Sequence, residues 1–317
     1  MPKMILIDGN SLLYRAFFAV RYLSTSDGLP TNAIYGLTTM LLRVLEEKPD
    51  YIAVAFDTPE PTFRHEEYRE YKAQRKAVPE ALIQQAPIAR ELIRAFNIPV
   101  VEIPGYEADD IVGAMAREAE KRGIETVIVT GDLDALQLVN EHVKVMTTQK
   151  GVSDTVIYDA DAVKARFGLS PEQLPDYKGL KGDPSDNIPG VPGIGEKTAA
   201  ELLKQYGTLE NLLAHVEELP DGKVKRALQD NRELAELSKR LGTIVTDLPE
   251  KLELEQYRFR EPDYDALRDL FVRLEFKTML KRLPEVGSAE GKRAREEKPL
   301  PGPWRKIQSA EELRELL

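Results

Sequence analysis

Short apolar runs and helix-period stretches alternate through the first half of the chain. Residues 4–7 form an apolar run ending in Asp8, and residues 51–56 form another ending in Asp57. Residues 100–103 and 126–129 repeat the pattern, the second leading into Thr130-Gly131-Asp132. Runs of this length bounded by turn residues read as buried strands. Between them, residues 31–47, 79–96 and 108–121 carry helical periodicity, with Pro79 suited to a first turn and Gly123 to a C-terminal stop. The alternation predicts an α/β fold with a mostly parallel central sheet flanked by helices. Residues 143–146 and 155–158 are candidates for further strands.

From about Asp159 the pattern turns helical, with candidate helices at 161–167, 171–177, 196–206, 209–216, 222–230, 231–245 and 263–274. Residues 284–303 are rich in Gly, Pro, Lys, Arg and Glu and read as a linker. Residues 304–317 regain an apolar pattern, with Ser309 placed as an N-cap. That segment is too short for a core and reads as the truncated start of a following domain. The expected division is therefore a domain at 1–283 (an α/β core over 1–160 and a helical part over 161–283), a linker at 284–303, and the next domain's start at 304–317.

Composition narrows the chemistry. There are no cysteines and only three histidines, so thiolate sites and His-rich metal sites are excluded. No long uncharged apolar run or leader-like N-terminus is present, so a cytoplasmic protein with no membrane partner is expected. The net charge of -10 alone disfavours a polyanion partner. It does so less if the acids are gathered in one metal site, where bound cations reverse the local sign.

The acids are placed for that. Asp8, Asp57 and Asp132 each follow a predicted strand, at the sheet edge where open α/β folds bind ligands, and Asp134 lies two residues on. Glu107, Asp109 and Asp110 open the helix after Gly105. Each alone suits a cap or a helix dipole. Together they bring like charges to one edge, which calls for cations, and oxygen-only donors suit Mg²⁺ or Mn²⁺. Asp183 and Asp186 add two acids from the helical half, in a turn that Asx hydrogen bonding also favours. The next segment, Gly190 to Thr198, has the glycine spacing of a phosphate loop, but Glu196 holds the lysine position. A glycine-rich turn opening a helix can instead present N–H groups to a DNA phosphate. Between Thr62 and Val78, Arg64, Arg69, Lys72, Arg75 and Lys76 interleave with Phe63, Tyr68 and Tyr71. Cations neutralise phosphates and rings stack on bases, and Lys72, Arg75 and Lys76 fall on nearby helical positions.

These motifs resemble the 5′ nuclease domains of the flap endonuclease family, as carried by bacterial DNA polymerase I. The resemblance covers roughly residues 4–283. It rests on Ile-Asp-Gly-Asn-Ser-Leu-Leu-Tyr-Arg-Ala-Phe (7–17), Phe-Arg-His-Glu with Tyr-Lys-Ala-Gln-Arg (63–75), Pro-Gly-Tyr-Glu-Ala-Asp-Asp (104–110), Thr-Gly-Asp-Leu-Asp (130–134) and the run 182–199. It implies a PIN-like fold with a helical arch near 62–90 and a helix–turn–helix variant. It also implies two divalent cations, one held by Asp8, Asp57, Glu107 and Asp109 with Asp110 close by. The other would be held by Asp132, Asp134 and Asp186 with Asp183 in support. Lys72 and Arg75 match the pair that contacts the scissile phosphate. Arg64, Tyr71, Lys76, Gly190, Gly193, Gly195, Lys197 and Thr198 are the expected DNA contacts, with K⁺ bridging at the glycine-rich turn. The implied partner is DNA with a 5′ flap or 5′ end, including RNA-primed DNA. The implied setting is a monomer followed by polymerase domains, near the nucleoid, in primer removal and repair. Leu133 departs from the family, which often carries Lys there, and removes a positive charge near the second metal group. On the residues alone two other functions stay open. One is a ribonuclease on a related acidic core, against which the helical half argues. The other is a non-catalytic DNA-structure binder, against which the full acid set argues. An ATPase is weakened by Glu196.

Overall fold

The computed structural model describes residues 1–151, 154–250 and 252–284. Apart from Pro284, the expected linker and the segment 304–317 with its Ser309 cap lie outside the described residues.

Among the described residues, six strands form one sheet in the order β3-β2-β1-β4-β5-β6: β1 (Lys3–Asp8), β2 (Tyr51–Ala55), β3 (Val100–Val101), β4 (Glu125–Val129), β5 (Val143–Lys150) and β6 (Asp154–Tyr158). The first five are parallel, with Leu6 opposite both Ala53 and Ile128, while β6 returns antiparallel to β5 at the edge. The hairpin follows from length, because too few residues separate β5 from β6 for a parallel crossover. The apolar run at 100–103 yields only a two-residue strand.

Helices α1 (Gly9–Ala19), α2 (Asn32–Leu45), α3 (Phe63–Glu67), α4 (Glu80–Ala95) and α5 (Ala108–Lys121) are interleaved with the strands. Alternation sends Met4 and Leu6 to one face, where they pack with Ile111, Val112 and Met115 of α5. Ile5 and Ile7 point to the opposite face and are fully buried there. The sequence pattern did not predict α1. Its start is encoded in Asp8, whose carboxylate caps the helix by accepting the Ser11 N–H at 2.9 Å.

The helical half contains α6 (Ala160–Phe167), α7 (Leu174–Lys181), α8 (Glu196–Tyr206), α9 (Leu209–Ala214), α10 (Lys223–Asp230) and α11 (Arg232–Gly242). Leu180, Ile194, Leu203, Leu212 and Leu228 share its core. Helices α7 and α11 lie close: a Cβ on Gly179 would come within 2.9 Å of the Lys239 Cβ. The compact unit built from these elements runs from Met1 to Arg260. A second unit begins at Glu261 and contains α12 (Tyr264–Arg273) and α13 (Lys277–Leu280), with Leu267, Leu270, Phe271 and Met279 buried.

One expected helix is absent. After α3, residues 69–74 form turns, and regular structure resumes at α4. Lys72 adopts a left-handed φ of 56°, which helix cannot accommodate, and its N–H donates to the Asp186 carbonyl at 2.9 Å. The basic residues therefore do not line one helix face as expected. The segment between the helices folds down onto the 183–188 loop, held also by Gln74–Asn187 (3.0 Å) and Asn187–Glu70 (2.7 Å) contacts.

Candidate metal centre

The parallel strands β1, β2 and β4 end at one edge of the sheet, and the acids follow from that. Asp8 closes β1 with one oxygen on the α1 cap and the other accepting from the Thr130 hydroxyl at 2.8 Å. Asp57, just beyond β2, accepts from the Asn10 amide at 2.8 Å and from the Ala108 N–H at 2.7 Å, at the start of α5. Burial, reinforced by the charges of Asp57 and Asp132, pushes the Asp8 carboxyl up to about 7. Burial also raises Asp57. Asp109 is raised well above the usual carboxylate range by burial and by Asp8, Asp132 and Asp134, and its Oδ1 is buried with no hydrogen-bond partner. A buried orphan carboxylate oxygen amid like charges is the environment a cation would relieve. Glu107 differs: burial alone would raise it, but Lys72 and Arg64 hold it below its ordinary value. Lys72 Nζ donates to Glu107 at 2.6 Å.

Asp134, Asp183 and Asp186 form a second group, each offering an oxygen within 4.8 Å of the others. Asp132 stands beside it, accepting the Asp134 N–H at 2.9 Å. Burial raises Asp134 to about 6 even though Lys178 opposes the shift. Burial would also raise Asp183, but Lys178 and Ser185 bring it to about 2. Arg75 donates to Asp186 at 2.6 Å. Both groups consist of oxygen donors, which fit a hard divalent cation rather than a soft one.

Several expected site residues stand elsewhere. Asp110 is fully buried, and both its oxygens are engaged by Arg64 (2.7 and 2.8 Å) and by the Val245 and Glu107 N–H groups (2.8 and 3.1 Å). Bonded on both oxygens, it ties the start of α5 to α3 and to the chain after α11. Arg64 is 3% exposed and also donates to the Leu241 and Thr243 carbonyls, so it pins α3 to α5 and to the end of α11 instead of facing DNA. Tyr71 is likewise buried, packed with Ile188 and Leu241, its hydroxyl between Glu107 (3.1 Å) and Asp186 (3.4 Å). It bridges the two acid groups and offers no open ring face to a base. Gly190 is buried against Gly182, where a Cβ would meet the Gly182 nitrogen at 2.2 Å, so its role is backbone packing. Gly193, Gly195 and Lys197 are exposed, Thr198 is partly so, and Lys76 is exposed.

One residue was missed. Lys178, in α7, is buried and ion-paired with both Asp134 and Asp183 (2.9 Å to the latter). Its stem lies on Gly242, where a Cβ would approach its Cδ to 2.8 Å. Positive charge therefore does stand beside the second acid group despite Leu133, whose side chain packs on the core. No local sequence signal distinguishes Lys178, because its partners come from other segments.

The family model for the 5′-3′ exonuclease N-terminal resolvase-like domain matches residues 3–168, and that for the 5′-3′ exonuclease C-terminal SAM fold matches residues 169–265. A DNA polymerase I of Bacillus caldotenax is 47% identical over 291 residues, 92% of this chain but 33% of that protein. A DNA polymerase I of Bacillus subtilis is 45% identical over 284 residues, 89% of this chain and 32% of that protein. The chain thus spans about a third of the length of these relatives. Among solved structures, T5 5′-exonuclease with bound zinc has a TM-score of 0.66 at 21% identity, covering 89% of this chain and all of that one. The catalytic core of Rad2 in complex with DNA substrate has a TM-score of 0.60 at 18% identity, covering 90% and 92%. At these identities the structures establish a shared fold. Among the described residues, no helix is long and apolar enough to cross a membrane.

Proposed function

This chain belongs to the 5′-3′ exonuclease family, and from that premise we propose that it is a structure-specific 5′ nuclease. It hydrolyses DNA phosphodiesters at 5′ flaps and 5′ ends, with two divalent cations, Mg²⁺ or Mn²⁺. The observation that carries the reading is two groups of carboxylates at one sheet edge, with one basic segment pairing a cation to each: Lys72 to Glu107 and Arg75 to Asp186.

Asp8, Asp57, Glu107 and Asp109 would hold the first cation, and Asp132, Asp134, Asp183 and Asp186 the second. Bound there, divalent cations supply a water of lowered pKa and neutralise charge on the phosphate. The protein's own part is positioning. Asn10 and the Ala108 N–H orient Asp57, and Thr130 and the Ser11 N–H orient Asp8. Lys72 and Arg75 can exchange a carboxylate for a phosphate oxygen without leaving the site, and so stabilise charge developing on the phosphoryl group. The exposed Gly193, Gly195 and Lys197 at the start of α8 would hold the duplex backbone, with K⁺ as a bridge. Products are a 5′-phosphate and a 3′-hydroxyl. The setting is primer removal and repair, with polymerase domains following in the same protein and the chain acting as a monomer near the nucleoid.

The test is cleavage of a 5′-flap duplex labelled at either end of the flap strand, in Mg²⁺, Mn²⁺ or chelator, beside an RNA flap. Metal-dependent release near the junction is expected, and Asp132→Ala should abolish it while retaining binding. Flap binding without cleavage under any metal would overturn the proposal.

A further inference from the structure

Lys178 is a buried cation set among the carboxylates that the proposed function assigns to the second metal ion. Its side chain is 10% exposed, and its ammonium reaches Asp134 from the loop after β4 and Asp183 from the loop after α7. The stem cannot swing freely, because it is packed on Gly242 at the end of α11. Its pairing therefore belongs to the packed interior, unlike that of Arg75, which is half-exposed and reaches Asp186 from the surface segment. Two of the three acids in the close trio Asp134, Asp183 and Asp186 share this one ammonium.

A fixed internal charge in that position has two opposed effects on a cation. It draws the carboxylates together, which favours coordination. It also cancels one of their three formal charges and repels any second positive ion nearby. At separations of a few ångströms inside the protein the repulsion outweighs the ordering where an acid is already placed by other contacts. Asp183 is so held, by Ser185 and by the paired backbone bonds to Ile188, and the Asp134 backbone is fixed by its own N–H on Asp132.

We infer that Lys178 is a built-in counter-charge that weakens the second cation site. This rests on the two-cation reading above. The role is one of tuning and positioning, with no contact to the reacting phosphate required. It also gives Lys178 a purpose beyond stability: substrate phosphate, adding its own negative charge, offsets the ammonium and tightens a second site of limited affinity.

The experiment is Mn²⁺ binding to the full chain without DNA, followed by calorimetry and by electron paramagnetic resonance of free Mn²⁺. Wild type should bind two ions with distinct affinities. Lys178→Met, which keeps the stem and loses the charge, should tighten the weaker site by at least about tenfold and leave the stronger site little changed. Lys178→Gln, which keeps hydrogen-bond donors, should behave in the same way and serves if the Met variant fails to fold. Lys178→Arg, which keeps the charge, should show no such tightening. A weaker site that is unchanged or looser in both neutral variants would overturn the inference while leaving the two-cation reading intact. Fewer than two ions bound by wild type would overturn both.

Discussion

Arg64 offers the sharpest separation between a surface role and an interior one. Its guanidinium makes two bonds to Asp110 and one each to the Leu241 and Thr243 carbonyls, at 2.7 to 2.9 Å, and is 3% exposed. Arg64→Met preserves most of the volume but leaves Asp110 fully buried, with only the Val245 and Glu107 N–H groups as partners. Breaking a buried pair from one side costs about 3–5 kcal/mol, because the remaining charge loses its compensation. At about 2–4 °C per kcal/mol for a domain of this size, the melting temperature should fall by about 6–20 °C. Pairing the change with Asp110→Leu removes both charges, so the double variant should be less destabilised than the sum of the singles by about 2–3 kcal/mol. The assay is thermal and urea unfolding of the four proteins, beside DNA binding over a range of salt. A phosphate-contacting arginine would behave otherwise: its loss would lower the salt slope by about one and leave stability nearly unchanged. A melting temperature within about 2 °C of wild type, together with a reduced slope, would refute the interior assignment.

Three further outcomes are expected. Gly190→Ala should cost at least about 2 kcal/mol in urea unfolding, since the new methyl would strike the Gly182 backbone at a φ of 63°; a change within error would mean that the turn relaxes. Tyr71→Phe should cost about 1–2 kcal/mol, because Glu107 and Asp186 lose a shared donor, and calorimetric unfolding would expose an error if no loss is seen. In chelator, stability should fall as pH rises from about 4 toward 7: Asp8 (about 7) and Asp134 (about 6) hold protons in the folded protein that the unfolded chain has already released. Asp183, held near 2, works the other way and contributes stability that is lost only on strong acidification. Melting scans at pH 5 and 7.5 check the sign, and saturating Mg²⁺ should shrink the difference.

Much of the fold is written locally. The buried strands β1, β2 and β4 follow from apolar runs ended by turn residues, and α5 from its period and its acidic first turn. The acids were legible for the same reason, since each ends a run that parallel pairing brings to a common edge. Helix α1 is hard to read from the chain alone, because its cap, Asp8, ends an apolar run and suits a metal ligand as well as a cap. Lys72, Arg75 and Lys76 read as helical by spacing, yet the bond from the Lys72 N–H to Asp186 goes with a left-handed turn at Lys72.

The sequence by itself determined the alternation of strands and helices, the helical second half, and the oxygen-donor set at the sheet edge. Those features depend on neighbours within a turn or two of chain. Only the tertiary structure decided which charges face solvent and which face each other. Arg64 and Asp110 lie 46 residues apart, and Lys178 and Asp134 lie 44 apart. No periodicity or cap links residues at that distance. Their pairing is settled by how helices pack over the sheet, where a buried charge must find its opposite.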